Sequence, residues 1–228
     1  MYQGMHPRTR LLRWTLYLAI VVLIIAASGG AAIDAVSNWL ANEHDKLDWY
    51  LTRATALLAY LALTAAVIYG LLLSTKLLDR IAHRAVSFTL HQDLSAIGLA
   101  LALVHAALLM LDRTAPYSPA ELVIPFTGPY RPLWVGIGQI AMALTIVVLG
   151  SFYVRKGIGQ KRWRQVHYLA FAAWAAATVH GVMAGTDSQA DPMRLGYVVS
   201  AAMVTFLLAY RVVLAVAARR AVSARPTV

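Results

Sequence analysis

Residues 165–186 read QVHYLAFAAWAAATVHGVMAGT. The stretch holds no charged residue and matches the roughly 20 mostly apolar residues that a helix needs to cross a bilayer. It nevertheless contains two histidines, His167 and His180. A histidine inside hydrocarbon is expensive, so it usually faces a partner, a cavity or a metal. Similar uncharged stretches occupy 14–33, 54–75, 94–111 and 132–154. A shorter one at 195–210 is followed by Arg211 and further apolar residues. Over the 228 residues 60% are hydrophobic and 13% charged, and mean hydropathy is +0.64. These values lie well outside the usual globular mixture. The predicted fold is all-α: an integral membrane six-helix bundle forming one domain over 1–228, with spans at about 11–33, 50–74, 90–111, 132–154, 165–185 and 195–217.

The third span carries a second histidine pair, His91 and His105. Odd-numbered spans run in the same direction, so His91 and His167 fall at one end of their helices. His105 and His180 follow 14 and 13 residues later, about 20 Å further along at 1.5 Å per residue. Equal depth on two parallel helices predicts two rungs, His91 with His167 and His105 with His180. Each rung suits one iron clamped from both sides by neutral imidazoles, so the four histidines read as the axial ligands of two stacked b-type haems. The spacing also predicts an irregularity. On an ideal helix 14 residues return to within about 40° of the starting face, whereas 13 fall short by about 140°. The fifth span must therefore bend, carry a π-bulge or present its histidines in different rotamers. Helix–helix hydrogen bonding by isolated histidines is the bland alternative; two pairs at matched depth are what it does not anticipate.

The net charge of +10 argues for membrane topology, not for nucleic acid. Arg8, Arg10 and Arg13 precede the first span, and Lys76, Arg80 and Arg84 follow the second. Arg155, Lys156, Lys161, Arg162 and Arg164 follow the fourth, and Arg219, Arg220 and Arg225 follow the sixth. The alternate loops hold most of the acids, among them Asp34, Asp48, Asp112, Glu121 and Asp187. The positive-inside rule then predicts a multi-pass protein of the inner (plasma) membrane with both termini cytoplasmic. The first span, which resembles a signal sequence, is expected to remain as an uncleaved helix. The loop at 112–131, with Pro116, Pro119, Pro125 and Pro129, is predicted to be an ordered outer cap with a short helical turn near 119–123.

The chain has no cysteine, which excludes disulfides, thiolate metal sites, iron–sulfur clusters and covalently attached haem. No Gly-x-Gly-x-x-Gly fingerprint follows a strand pattern, so no nicotinamide or flavin domain of the doubly wound kind is present. Flavin, if used, belongs to a partner.

Several stretches together resemble the ferric-reductase-like transmembrane domain, shared with the membrane half of NADPH oxidases and the haem subunit of methionine sulfoxide reductase systems. They are Arg53-Ala-Thr-Ala, Gly70-Leu-Leu-Leu-Ser-Thr-Lys76, His91 with His105, Pro129-Tyr-Arg-Pro-Leu-Trp134, and Arg162-Trp-Arg-Gln-Val-His167 through His180-Gly181. The resemblance covers about 49–211. It implies bis-histidine haems between the third and fifth spans and ferric-reductase-like electron transfer. A separate cytoplasmic donor, a flavoprotein or quinol, would feed them, and an outer-face acceptor would drain them. Haem propionates need cationic partners, for which Arg84, Lys161, Arg162 and Arg164 are candidates at the inner level and Arg53 and Arg131 at the outer. Trp174 and Phe171 lie between the two levels, as packing or as an electronic bridge. Two other readings stand beside this one: a haem subunit serving a periplasmic methionine sulfoxide reductase, and a haem-free transporter or scaffold.

Overall fold

The computed structural model describes residues 47–80, 83–112 and 115–223. These lie almost wholly within the compact unit Asp48–Val228. The span predicted at 11–33 lies outside the described residues. Among the described residues the chain is all-helical, and five helices are long and apolar enough to cross a membrane. They mark a multi-pass membrane protein whose large apolar side chains, such as Leu61, Val147, Phe206 and Val213, face outward as lipid contact requires.

Helix α1 runs Leu47–Thr75 and ends where Lys76 turns left-handed, followed by a 3₁₀ turn at Leu77–Arg80. Helix α2, Arg84–Leu108, starts at His83, whose exposed ring accepts the Ala85 amide, and tightens into a 3₁₀ turn at Leu109–Leu111. The short α3, Pro119–Val123, sits where the prolines of the cap predict it. A capping box builds its start: the Ser118 hydroxyl accepts the Glu121 amide while the Glu121 carboxylate accepts the Ser118 amide and hydroxyl. Those bonds hold the Glu121 carboxyl below its usual range. Helix α4, Pro132–Ile158, stops at Gly159, whose φ of 80° favours glycine.

The fifth predicted span arrives as two pieces, α5 at Gln160–His167 and α6 at Leu169–Ala184. The break falls at Tyr168, directly after the first histidine. The Tyr168 amide is shared between the Arg164 and Gln165 carbonyls, each at 3.2 Å, and the Phe171 amide reaches the Tyr168 carbonyl at 3.1 Å, an i to i−3 bond. In 3₁₀ geometry each residue turns about 120°, not 100°, so such a turn recovers part of the missing 140°. The irregularity is a tightened turn at Tyr168, where a bend, a π-bulge or different rotamers were expected. Helix α7, Asp191–Ser223, is one unbroken run through the sixth predicted span.

The packing separates two kinds of helix. Helix α4 lies closely along α6, whereas the backbones of α2 and α6, which carry three of the four histidines, stay apart. Protein buries 6% of the most apolar window of Arg84–Leu111 and 6% of that of Gln160–Ala184, against 22% and 28% for Trp49–Thr75 and Pro132–Ile158. The histidine helices are thus the least covered by their own chain. The core that does form joins α1 to α7 through Leu71, Val204 and Leu207, with Phe171 and Trp174 of α6 against it.

Candidate functional site: two facing histidine pairs

The structure brings the histidines together in the predicted rungs. The His91 and His167 ring centres stand 6.0 Å apart with planes at 74°. Those of His105 and His180 stand 6.3 Å apart with planes at 62°. Three rings are anchored in one manner. His91 donates Nδ1–H to the Ala66 carbonyl at 2.8 Å, His105 to the Thr52 carbonyl at 2.9 Å, and His180 to the Trp134 carbonyl at 2.9 Å. A neutral imidazole that donates from Nδ1 keeps its lone pair on Nε2, and such a backbone anchor is the usual outer partner of a metal-ligating histidine. His167 is held differently, stacked on Trp163 at 5.2 Å and 26°.

Each acceptor has a small residue one helical turn beyond it. Four positions after Ala66, Thr52 and Trp134 stand Gly70, Ala56 and Gly138. A Cβ on Gly70 would lie 3.2 Å from the His91 ring, and one on Gly138 would lie 2.6 Å from Cγ and Nδ1 of His180. Gly70 and Gly138 thus leave room for an imidazole close enough to reach the carbonyl of the neighbouring helix. The sequence reading missed all three.

Among the described residues no group of three or more His, Cys, Asp or Glu side chains converges as a metal cage. Each rung offers two nitrogens, which suits an iron that brings its other four ligands in a porphyrin. With about 2 Å from metal to each imidazole nitrogen, opposed rings would have centres about 6 Å apart. The donor set and spacing fit that group.

Of the cations named for propionates, two are ion-paired and three on α5 are exposed. Arg53 forms an ion pair with Asp187, and its guanidinium lies 3.7 Å above the Trp49 ring. Arg84 pairs with Asp79 at 3.1 Å. Arg164 is exposed on α5, as are Lys161 and Arg162. Arg131, left-handed at φ 39° before Pro132, donates Nη1–H to the Met183 carbonyl at 2.7 Å, while the Tyr130 hydroxyl reaches the Ala184 carbonyl at 3.3 Å. The loop that carries α3 thereby clamps the end of α6 just beyond His180. Trp174 donates its indole N–H to Thr64 at 3.0 Å and joins the core, as a packing residue does. Asp93, near His91, is buried.

The fold and site define an all-helical membrane bundle with two matched histidine pairs, three of whose four rings are anchored to backbone carbonyls. The chain belongs to the family described as Domain of unknown function (DUF8596), whose model matches residues 47–187 and so spans all four histidines. That description assigns no activity. No curated protein and no solved structure matches the chain significantly.

Proposed function

We propose that the chain is a transmembrane b-type dihaem electron-transfer protein, similar to the ferric-reductase-like domain. In this reading it moves electrons from a cytoplasmic donor near His91 and His167 to an acceptor on the outer face near His105 and His180. The observation that carries the reading is the pairing of imidazoles at 6.0 and 6.3 Å, with three of the four pinned by Nδ1 to a backbone carbonyl. Structural histidines that merely link helices have no need to face one another at matched depth.

Bound haem supplies the one-electron chemistry. The chain's residues hold and orient it: the carbonyl anchors fix which nitrogen faces inward, and the apolar helices exclude water. The positive loop charges support a cytoplasmic location for the His91/His167 end and an inner-membrane setting. A separate flavoprotein or quinol is the donor expected for a chain with no dinucleotide fingerprint.

The optical spectrum of the purified chain tests the reading. A low-spin b-type spectrum that sharpens on reduction, with about two haems per chain, is expected for two bis-histidine rungs. A flat visible spectrum after expression with ample haem supply would overturn it and leave a haem-free transporter or scaffold.

A further inference from the structure

The loop that carries α3 is tied to α4 well inside that helix. Gln139 donates its side-chain amide to the Glu121 and Leu122 carbonyls at 2.5 and 3.0 Å. Phe126, left-handed at φ 71°, lays its ring on Gly136, where an added Cβ would overlap it. These contacts fix how deep the loop sits. Gly136 and Gln139 stand 19 and 16 residues before Arg155 with no charged residue between, about 28 and 24 Å along the helix axis. A cation such as Arg155 belongs at or beyond the edge of the hydrocarbon. That core is roughly 30 Å thick, so both positions fall within it, near the edge farther from Arg155. Tilting the helix only deepens them.

What the segment exposes at this level is apolar. Val123 is 79% exposed, Ile124 53% and Phe126 47%, and Leu133, three residues before Gly136, 55%. In water such a cluster would be an aggregation liability. The backbone is also closed off from water. The Leu122 and Ile124 amides bond the Ser118 and Ala120 carbonyls, the Thr127 hydroxyl covers the Ile124 carbonyl at 2.8 Å, and Gln139 covers the carbonyls of Glu121 and Leu122. Irregular backbone survives at membrane depth only when its polar groups are satisfied within the protein; a loop bathed in water has no such need.

We infer that residues 122–126 form a lipid-binding wedge, with Val123, Ile124 and Phe126 among the acyl chains of the adjoining leaflet. The capping box of Ser118 and Glu121, at the other end of α3, then stays at headgroup level. The loop expected to cap the bundle from outside the membrane thus lies partly within it. The wedge would hold α4 at a fixed depth, and α4 supplies both the Trp134 carbonyl and the Gly138 position against which His180 sits. The inference rests on the membrane-spanning helices, not on haem.

A chain without cysteine makes the test direct. Full-length protein in phosphatidylcholine–phosphatidylglycerol vesicles carries one nitroxide label at a time, on Val123→Cys or Ile124→Cys. Val147→Cys, half-exposed within α4, is the lipid reference, and Gln189→Cys, exposed in the loop after α6, is the water reference. Power saturation compares collisions with oxygen, which concentrates in lipid, and with a water-soluble nickel chelate, which lipid excludes. The oxygen-to-nickel ratio at 123 and 124 should lie severalfold above that at 189 and below that at 147. Either label suffices if the other disturbs α3. A ratio equal to that at 189 would put the segment in water and overturn the wedge. Few collisions with both reagents would mean cover by protein, such as a second copy of the chain, and would overturn it equally.

Discussion

Leucine at position 105 should cost the protein one haem and leave it folded. Haem per chain is expected to fall from about two to about one, and a two-component redox titration should become a single component. The two rungs lie about 21 Å apart along α2, beyond the range at which substitutions usually couple. They also hang from different carbonyls, Ala66 for His91 and Thr52 for His105. The Thr52 carbonyl is not stranded when the imidazole goes, since the Thr55 hydroxyl also donates to it at 3.0 Å. An apolar side chain of similar size in an apolar helix adds no buried polar group, so the penalty of roughly 1–3 kcal/mol for an unsatisfied partner does not arise. The loss should therefore be read on intact protein. His180→Leu should give the same product, and the two together should do no further damage, because they share a rung. His91→Leu combined with His105→Leu should leave no haem. His83→Leu, altering an exposed helix cap, should change nothing in the spectrum. Retention of both haems by His105→Leu would refute the pairing of His105 with His180.

The helices and the histidines were legible for the same reason: both are costly to misplace in lipid. An uncharged run of about 20 residues has few other uses, and four imidazoles inside such runs demand an explanation. The cap helix was legible from the prolines of its loop; the capping box of Ser118 and Glu121 that builds its start is a local signature that the reading passed over. The 13-residue interval announced that the fifth span must bend, bulge or present its histidines in different rotamers. It did not say where the break would fall, because Tyr168 is neither glycine nor proline and carries no breaker signal.

What stayed hidden depends on contacts far apart in the chain or on backbone atoms. A carbonyl acceptor has no side chain to recognise. The small residue one turn beyond it is a real signal at Ala56, Gly70 and Gly138, but alanine and glycine are too frequent in these spans for it to stand out. Arg53 was legible as a cation near the end of its span with no topological job, but Asp187 approaches it only once the bundle has folded. Arg211 was visible as an interruption of the sixth span, whereas nothing in sequence shows that the Trp163 indole N–H is buried without a hydrogen-bond partner among the described residues.

The anchoring glycines supply a graded prediction. At Gly138 an added methyl would lie 2.6 Å from the Cγ and Nδ1 atoms of His180, the ring edge that bonds the Trp134 carbonyl at 2.9 Å. The ring cannot retreat without breaking that bond, and retreat would also drive it toward His105. Overpacking of this kind costs about 1–3 kcal/mol, whereas replacing a helical glycine by alanine returns about 0.5–1 kcal/mol. Gly138→Ala should therefore be destabilised overall and should lose, or convert to a weaker high-spin form, the haem of the His105/His180 rung. At Gly70 the corresponding contact is 3.2 Å to Cε1 of His91, which a shift of a few tenths of an ångström relieves. The helix gain then roughly cancels the strain, and Gly70→Ala should keep both haems with stability changed by less than about 1 kcal/mol. Haem content, the reduced spectrum and thermal melting of the two variants side by side check the order. If Gly138→Ala kept an unaltered spectrum while Gly70→Ala lost haem, the close seating of His180 on α4 would not be what holds that imidazole in place. The argument from carbonyl anchors would then fail at the rung where it makes its strongest demand.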